Sequence, residues 1–172
     1  MTIFQRQRHG FTLIELLVTT SIAMLIAGAA IAGFVTFTDR QEVLNAAKEV
    51  QQMLRTAQAK ARIKDVPKSC SDQSLPLARY QVVIDGTTLR LEAFCESLPT
   101  TKTVIIQKYE LPDDVSMSLS PIPAAPYTDT IQFKTLEDGT NLTNPTTLTF
   151  HGAENYLFTI SPRGSISNVE PQ

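Results

Sequence analysis

Proline is missing from the first 66 residues of this 172-residue chain, and all ten prolines fall in the remaining 106. Charge is almost missing from the window 9–38, where Glu15 is the one residue charged at neutral pH. Such a window does not belong to a soluble globular domain, which removes a plain cytosolic enzyme from the leading readings. Histidine is scarce, with only His9 and His151, and no Gly-x-Ser-x-Gly, phosphate loop or zinc signature occurs. A Ser/His/Asp triad would hang on His151 alone, in an expected strand-end turn, so no catalytic residue is assigned and the chain reads as a non-enzyme. Two cysteines 25 residues apart are not a metal pair, and no metal or cofactor is expected. A pI near 5.7 does not suggest a strongly basic nucleic-acid module. Disorder is excluded by the alternating apolar residues of the second half.

What is present begins with the apolar stretch 11–37. At 1.5 Å per residue its 27 residues reach about 40 Å as a helix, enough to cross a hydrocarbon core of about 30 Å. Ala23, Ala27, Gly28, Ala29, Ala30, Ala32 and Gly33 crowd its second half, and small residues let helices approach closely. Arg6, Arg8 and His9 precede it, while Asp39, Arg40 and Glu42 follow with a net charge of −1. The positive-inside rule keeps the first ten residues in the cytoplasm and exports the rest. A secretory signal peptide fits poorly, because the run is too long and lacks a small-x-small cleavage site at its far end. A simple single-span anchor is the other bland reading. Against it stands Glu15, since a carboxylate within a membrane span costs about 2.5–3.5 kcal/mol on insertion scales and is usually functional.

Residues 8–18 read Arg-His-Gly-Phe-Thr-Leu-Ile-Glu-Leu-Leu-Val. This resembles the prepilin signal of type IV pilins and type II secretion pseudopilins. The resemblance implies cleavage between Gly10 and Phe11 by a prepilin peptidase, methylation of the new amino terminus at Phe11, and an assembly role for Glu15. In that family the glutamate is thought to meet the terminal amine of a neighbouring subunit, and a charge in an apolar bundle does require a compensating one. The implied partners are other pilin or pseudopilin subunits, the peptidase/methyltransferase and an inner-membrane assembly platform. The implied location is the inner membrane, single-pass with a cytoplasmic amino terminus, and then a periplasmic or cell-surface filament. Cleavage removes Arg6 and Arg8, leaving a mature chain with a formal side-chain charge of about −4.

The helix is expected to continue past the span, from about 12 to about 64, because no proline occurs before Pro67 and Val66 sits in the disfavoured position before it. Val43, Ala47, Val50, Leu54, Ala57 and Ala61 repeat at spacings of 4, 3, 4, 3, 4, one face of a helix. Glu42, Lys48, Glu49, Gln52, Arg55 and Lys60 occupy the other face. After Pro67 the period changes to 2. Strands are expected at 79–85 and 88–96, meeting at Asp85-Gly86, and at 103–111, 115–119, 130–135, 146–150 and 155–161. The expected fold is α+β and pilin-like: one long helix, transmembrane then amphipathic, packed on an antiparallel sheet domain. The expected segments are a leader 1–10, a transmembrane and filament-core helix 11–38, its amphipathic continuation 39–66 and a β domain 67–172.

Residues 47–61 and 158–165 resemble the GspH/FimT type of minor pseudopilin and pilin, as does a hairpin soon after the helix. Many major pilins carry a proline about twenty residues into the mature helix; here position 32 is Ala, which favours a minor subunit over a major pilin. Cys70 and Cys95 lie on the exported side, where a disulfide is the default and two free buried thiols the alternative. Lys60, Arg62, Lys64 and Lys68 form a basic run at the helix end. They complement the helix dipole on a solvated face. A DNA patch, as in some FimT-like minor pilins, is the weaker reading, since Asp65 dilutes the run and no aromatic is interleaved. Glu137, Asp138, Asn141 and Asn144 gather oxygen atoms in one loop, but turn formation explains them as well as calcium does. Asn141-Leu142-Thr143 is a glycosylation sequon of low weight in a bacterial-type filament protein.

Overall fold

The computed structural model describes residues 11–123, 125, 128–135 and 139–172. The leader 1–10, with Gly10, and the loop residues Glu137 and Asp138 lie outside the described residues. The chain divides at 38/39 into two compact units.

In the first unit the described residues are helical from Leu13 onward, as the opening of α1, Leu13–Arg62. Its large apolar side chains among the described residues are exposed, from Leu13 and Ile14 to Phe34, Val35 and Phe37. Four of its hydroxyls donate to carbonyls one turn back in the helix. Thr19 and Thr20 donate to the carbonyls of Leu16 and Leu17 at 3.0 Å, Ser21 to Leu17 at 2.8 Å, and Thr38 to Phe34 at 2.9 Å. A helix, which pairs its backbone polar groups within itself, is one of the two backbone solutions that a bilayer tolerates.

In the second unit, α1 buries the stripe that its sequence spacing marks. Val43, Ala47, Val50, Leu54, Ala57 and Ala61 are buried, together with Ala46 and Met53 beside them. The last turn closes on a Schellman pattern: the Lys64 N–H donates to the Ala61 carbonyl at 3.2 Å and the Asp65 N–H to the Lys60 carbonyl at 3.0 Å. Lys64 takes the left-handed position with φ 52°. The contact between the third-last helical residue and the second residue past the cap is usually apolar; here it is the ion pair Lys60–Asp65.

Past Pro67 the described residues form a single-turn helix α2, Lys68–Ser71, and eight strands. They are β1 Leu77–Asp85, β2 Thr88–Ser97, β3 Thr100–Glu110, β4 Ser116–Ser120, β5 Thr130–Lys134, β6 Thr146–His151, β7 Tyr156–Ile160 and β8 Glu170–Pro171. All pairings are antiparallel. The β1–β2 hairpin pairs Asp85 with Thr88, and Gly86 takes φ 62° at the first loop position, where other residues are strained. The strands form two four-stranded sheets, ordered β3-β2-β1-β5 and β4-β6-β7-β8, rather than one. The chain changes sheet after β3, again after β4, where Pro121 and Pro123 lack the N–H that a continuing ladder needs, and again after β5. Thus β5 returns to the free edge of β1, while β4 pairs with β6.

Both sheets turn alternate residues inward. Tyr80, Val82, Leu89, Leu91, Ile131 and Phe133 of the first sheet share one core with the α1 stripe and with Leu148, Phe150, Phe158 and Ile160 of the second. Phe150 and Phe158 stack at 5.9 Å between ring centroids. Each fully buried side chain of this size contributes about 1.5–3 kcal/mol relative to exposure. Close approach is built into Gly152, where a Cβ would stand 2.4 Å from Cγ2 of Val43. A second row on α1 is polar and holds the segment between β7 and β8. Gln51 donates to the Ser167 carbonyl at 2.5 Å, Arg55 meets the Asn168 Oδ1 at 3.5 Å, and Gln58 donates to the Gly164 carbonyl at 2.7 Å.

Candidate functional site

The amino end of α1 is organised by Thr12. Its Oγ1 accepts the Glu15 N–H at 3.3 Å, and its carbonyl accepts the Leu16 N–H at 3.1 Å. Thr12 is therefore the N-cap, and Thr12-x-x-Glu15 has the spacing of a capping box. The motif that carries Glu15 thus also starts the helix. Sequence reasoning misses this local role, although its signal is there, a Thr three residues before a Glu. Glu15 lies exposed in the first turn, where a carboxylate complements the positive end of the helix dipole. Phe11 precedes the cap and is 82% exposed. Cap, carboxylate and apolar surround stand together at one end of an uncovered apolar helix, which needs either lipid or other helices around it.

The remaining candidate residues lie in the second unit. Cys70, on α2, and Cys95, on β2, form a disulfide with Cα atoms 6.2 Å apart, in a small buried cluster with Leu75. It fastens the turn after the long helix to the first sheet. Of the basic run, Lys60 is paired with Asp65, while Arg62, Lys64 and Lys68 are exposed. Asn141 is consumed structurally: its Oδ1 accepts the Gln132 N–H at 2.8 Å and its Nδ2 donates to the Thr130 carbonyl at 2.9 Å. The amide that both the calcium reading and the sequon would use is thus tied to β5. Among the described residues no cluster of three or more His, Cys, Asp or Glu side chains could hold a metal. His151 ends β6, and its Nε2 lies 3.0 Å from Ser118 Oγ on β4. No carboxylate among the described residues bonds to that imidazole, so the pair lacks the orienting group of a triad.

Perturbed acids concentrate on tyrosine. Burial, and then the charge of Asp65, pushes the Tyr80 phenol up to about 12. Its hydroxyl donates to the Asp65 carbonyl at 2.6 Å and so ties β1 to the end of the long helix. Burial and then the charges of Glu49 and Glu42 raise Tyr109 as well.

Residues 5–31 match the family model described as the prokaryotic N-terminal methylation motif. No curated protein and no solved structure matches the chain. The motif supports a type IV pilin-like or pseudopilin subunit, structural rather than enzymatic, processed by prepilin peptidase and assembled with other pilin subunits. Motif and apolar helix together fit membrane anchoring before filament assembly. Over residues 5–31, then, the chain carries the prepilin and pseudopilin signal.

Proposed function

We propose that this chain is a minor, GspH/FimT-like filament subunit of a type IV pilus or type II secretion pseudopilus. It is cut between Gly10 and Phe11, methylated on Phe11 and assembled through the apolar part of α1. The observation that carries this reading is Glu15 in the first turn of a helix whose large described apolar side chains, Leu13 to Phe37, are exposed. In the bilayer that carboxylate sits near the interface and stays hydrated. In a bundle of like helices it requires a cation, and the new amine at Phe11 of a neighbour supplies one. Their attraction sets the axial register of the incoming subunit. Ala32 in place of proline and the early β1–β2 hairpin support the minor class over a major pilin.

Mass spectrometry of the mature chain tests the processing step: the expected amino terminus is N-methyl-Phe11. A mature chain beginning at Met1, or cut beyond Ala30, refutes it. Gly10→Val is expected to leave unprocessed precursor in the membrane.

A further inference from the structure

The four sheet edges are not protected alike. The outer side of β5 is covered: Thr140 bridges to Phe133, and the Asn141 side chain takes the Gln132 N–H and the Thr130 carbonyl. β4 has five residues, with Pro112 before it and Pro121 directly after, and β8 has two, one of them Pro171. Short strands, prolines and covering loops are the usual means of keeping an edge from pairing. β3 has 11 residues and no proline, and none of its residues is buried. It pairs with β2 alone, and among the described residues no backbone–backbone bond joins 100–110 to any other segment. In an antiparallel pair alternate residues turn both N–H and C=O away from the partner, so β3 carries a row of such groups facing outward.

One irregularity interrupts that row. Leu91 pairs with Gln107 and Glu92 with Ile105, which leaves Ile106 unmatched, so the unbroken stretch is Thr100–Ile105. It is close to the usual strand length of about 5–6 residues. Lysine shields many edges, but Lys102 is bonded to the Ser69 carbonyl at 2.9 Å, and Lys108, beyond the bulge, to Glu110 at 2.6 Å. Leu98 and Ile105, 84% and 59% exposed, stand at the two ends of the stretch. We propose that Thr100–Ile105 receives an extended, proline-free segment of a different polypeptide, which joins the first sheet as a fifth strand outside β3. Backbone hydrogen bonds supply the attachment, and apolar side chains of the guest beside Leu98 and Ile105 fix its register. The contact uses the second unit alone and is separate from assembly through the apolar part of α1. Only the choice of a different polypeptide rests on the minor-subunit reading, since the neighbours of a minor subunit are other chains.

The test follows amide hydrogen exchange in the detergent-solubilised full-length chain. The probe is a synthetic eight-residue peptide of alternating threonine and valine, blocked at both ends, beside a control of the same length with two central prolines. The expected result is exchange over 100–105 slowed at least tenfold by the probe and not by the control, with 116–120 on the β4 edge unchanged. Thr101→Lys together with Ile105→Lys, both at exposed positions, should cut that protection at least fivefold without altering exchange in the core strands. No slowing, equal slowing on the β4 edge, or protection indifferent to the two lysines would each overturn the proposal. So would protection of 100–105 that arises without the probe as the chain itself is concentrated, because the occupant would then be a second copy. Each of these failures leaves the filament reading standing, since that reading is judged by the mature amino terminus at Phe11 and by Glu15→Leu.

Discussion

Gly152→Ala is expected to destabilise the outer domain through one contact. The added Cβ would stand 2.4 Å from Cγ2 of Val43 and 3.4 Å from the Asp114 carbonyl oxygen. Carbon atoms at rest lie about 3.5–4.0 Å apart, so the methyl intrudes by more than 1 Å. Gly152 does not occupy the left-handed region, so backbone strain adds nothing and the clash is the whole effect. Val43 cannot swing aside, because a β-branched side chain in a helix has one strongly preferred rotamer. It is also 2% exposed and backed by the core. Overpacking of this kind costs about 1–3 kcal/mol. Val43→Ala alone costs about 2 kcal/mol in lost burial. Together the two changes should interfere favourably, because the smaller residue makes room for the new methyl. The double variant is expected to be at least about 1 kcal/mol more stable than the sum of the singles. Urea midpoints of the four detergent-solubilised full-length chains, followed by tyrosine fluorescence, measure all four corners of the cycle. An unchanged midpoint for Gly152→Ala, or strict additivity, would refute the steric argument.

Further outcomes follow from other parts of the structure. Lys64→Gly should raise stability by about 0.5–1 kcal/mol, since φ 52° suits glycine, and an unchanged urea midpoint would contradict this. Replacing Cys70 and Cys95 by Ala should lower the stability of the outer domain by about 3 kcal/mol in the chain-entropy model, leaving membrane insertion intact; limited proteolysis of membrane fractions distinguishes the two effects. Tyr80 has a folded value raised to about 12 against an unfolded value of 10.0, so its neutral form is the one that folding favours. Its contribution is complete below pH 10 and is lost as pH rises from 10 to 12. Tyr80→Phe should shrink that alkaline slope without abolishing it, because Tyr109 and Tyr156 are raised too, and an identical slope in the variant would count against the assignment. Glu15→Leu should leave processing and insertion nearly intact and impair incorporation when co-expressed with the parent chain; equal incorporation into sheared filaments would refute the register role.

Periodicity is informative wherever one physical demand governs a residue. The stripe from Val43 to Ala61 is visible because a helix face buried on a core must be apolar at every turn. The β1–β2 hairpin is visible because only glycine sits easily at Gly86. The long helix ends two residues earlier than Pro67 and Val66 suggest, at Arg62, because the stop is a backbone motif made with Lys64, a residue type that carries no left-handed signal. The partition into two sheets depends on which edge β5 returns to, and strand patterns are the same for either edge. Gln51, Arg55 and Gln58 look like ordinary solvated positions; their partners are mostly backbone carbonyls, which leave no trace in composition. Asn141 shows the converse, since an amide bonded to β5 is indistinguishable in sequence from a free sequon or a ligand. The capping role of Thr12 is legible too, but the more conspicuous meaning of Glu15 masks it.

The polar row of α1 also imposes an order in time. Gln51 waits for a carbonyl 116 positions downstream, and Gln58 for one 106 positions away. Synthesis at roughly 5–20 residues per second puts about 10 s between the emergence of the helix and that of the segment which fastens over it. The second sheet, from β6 onward, is equally late. Through that interval the stripe of Val50, Met53 and Leu54 has none of its β6 and β7 neighbours. It is the half-built chain, more than the finished one, that needs shelter from its own kind.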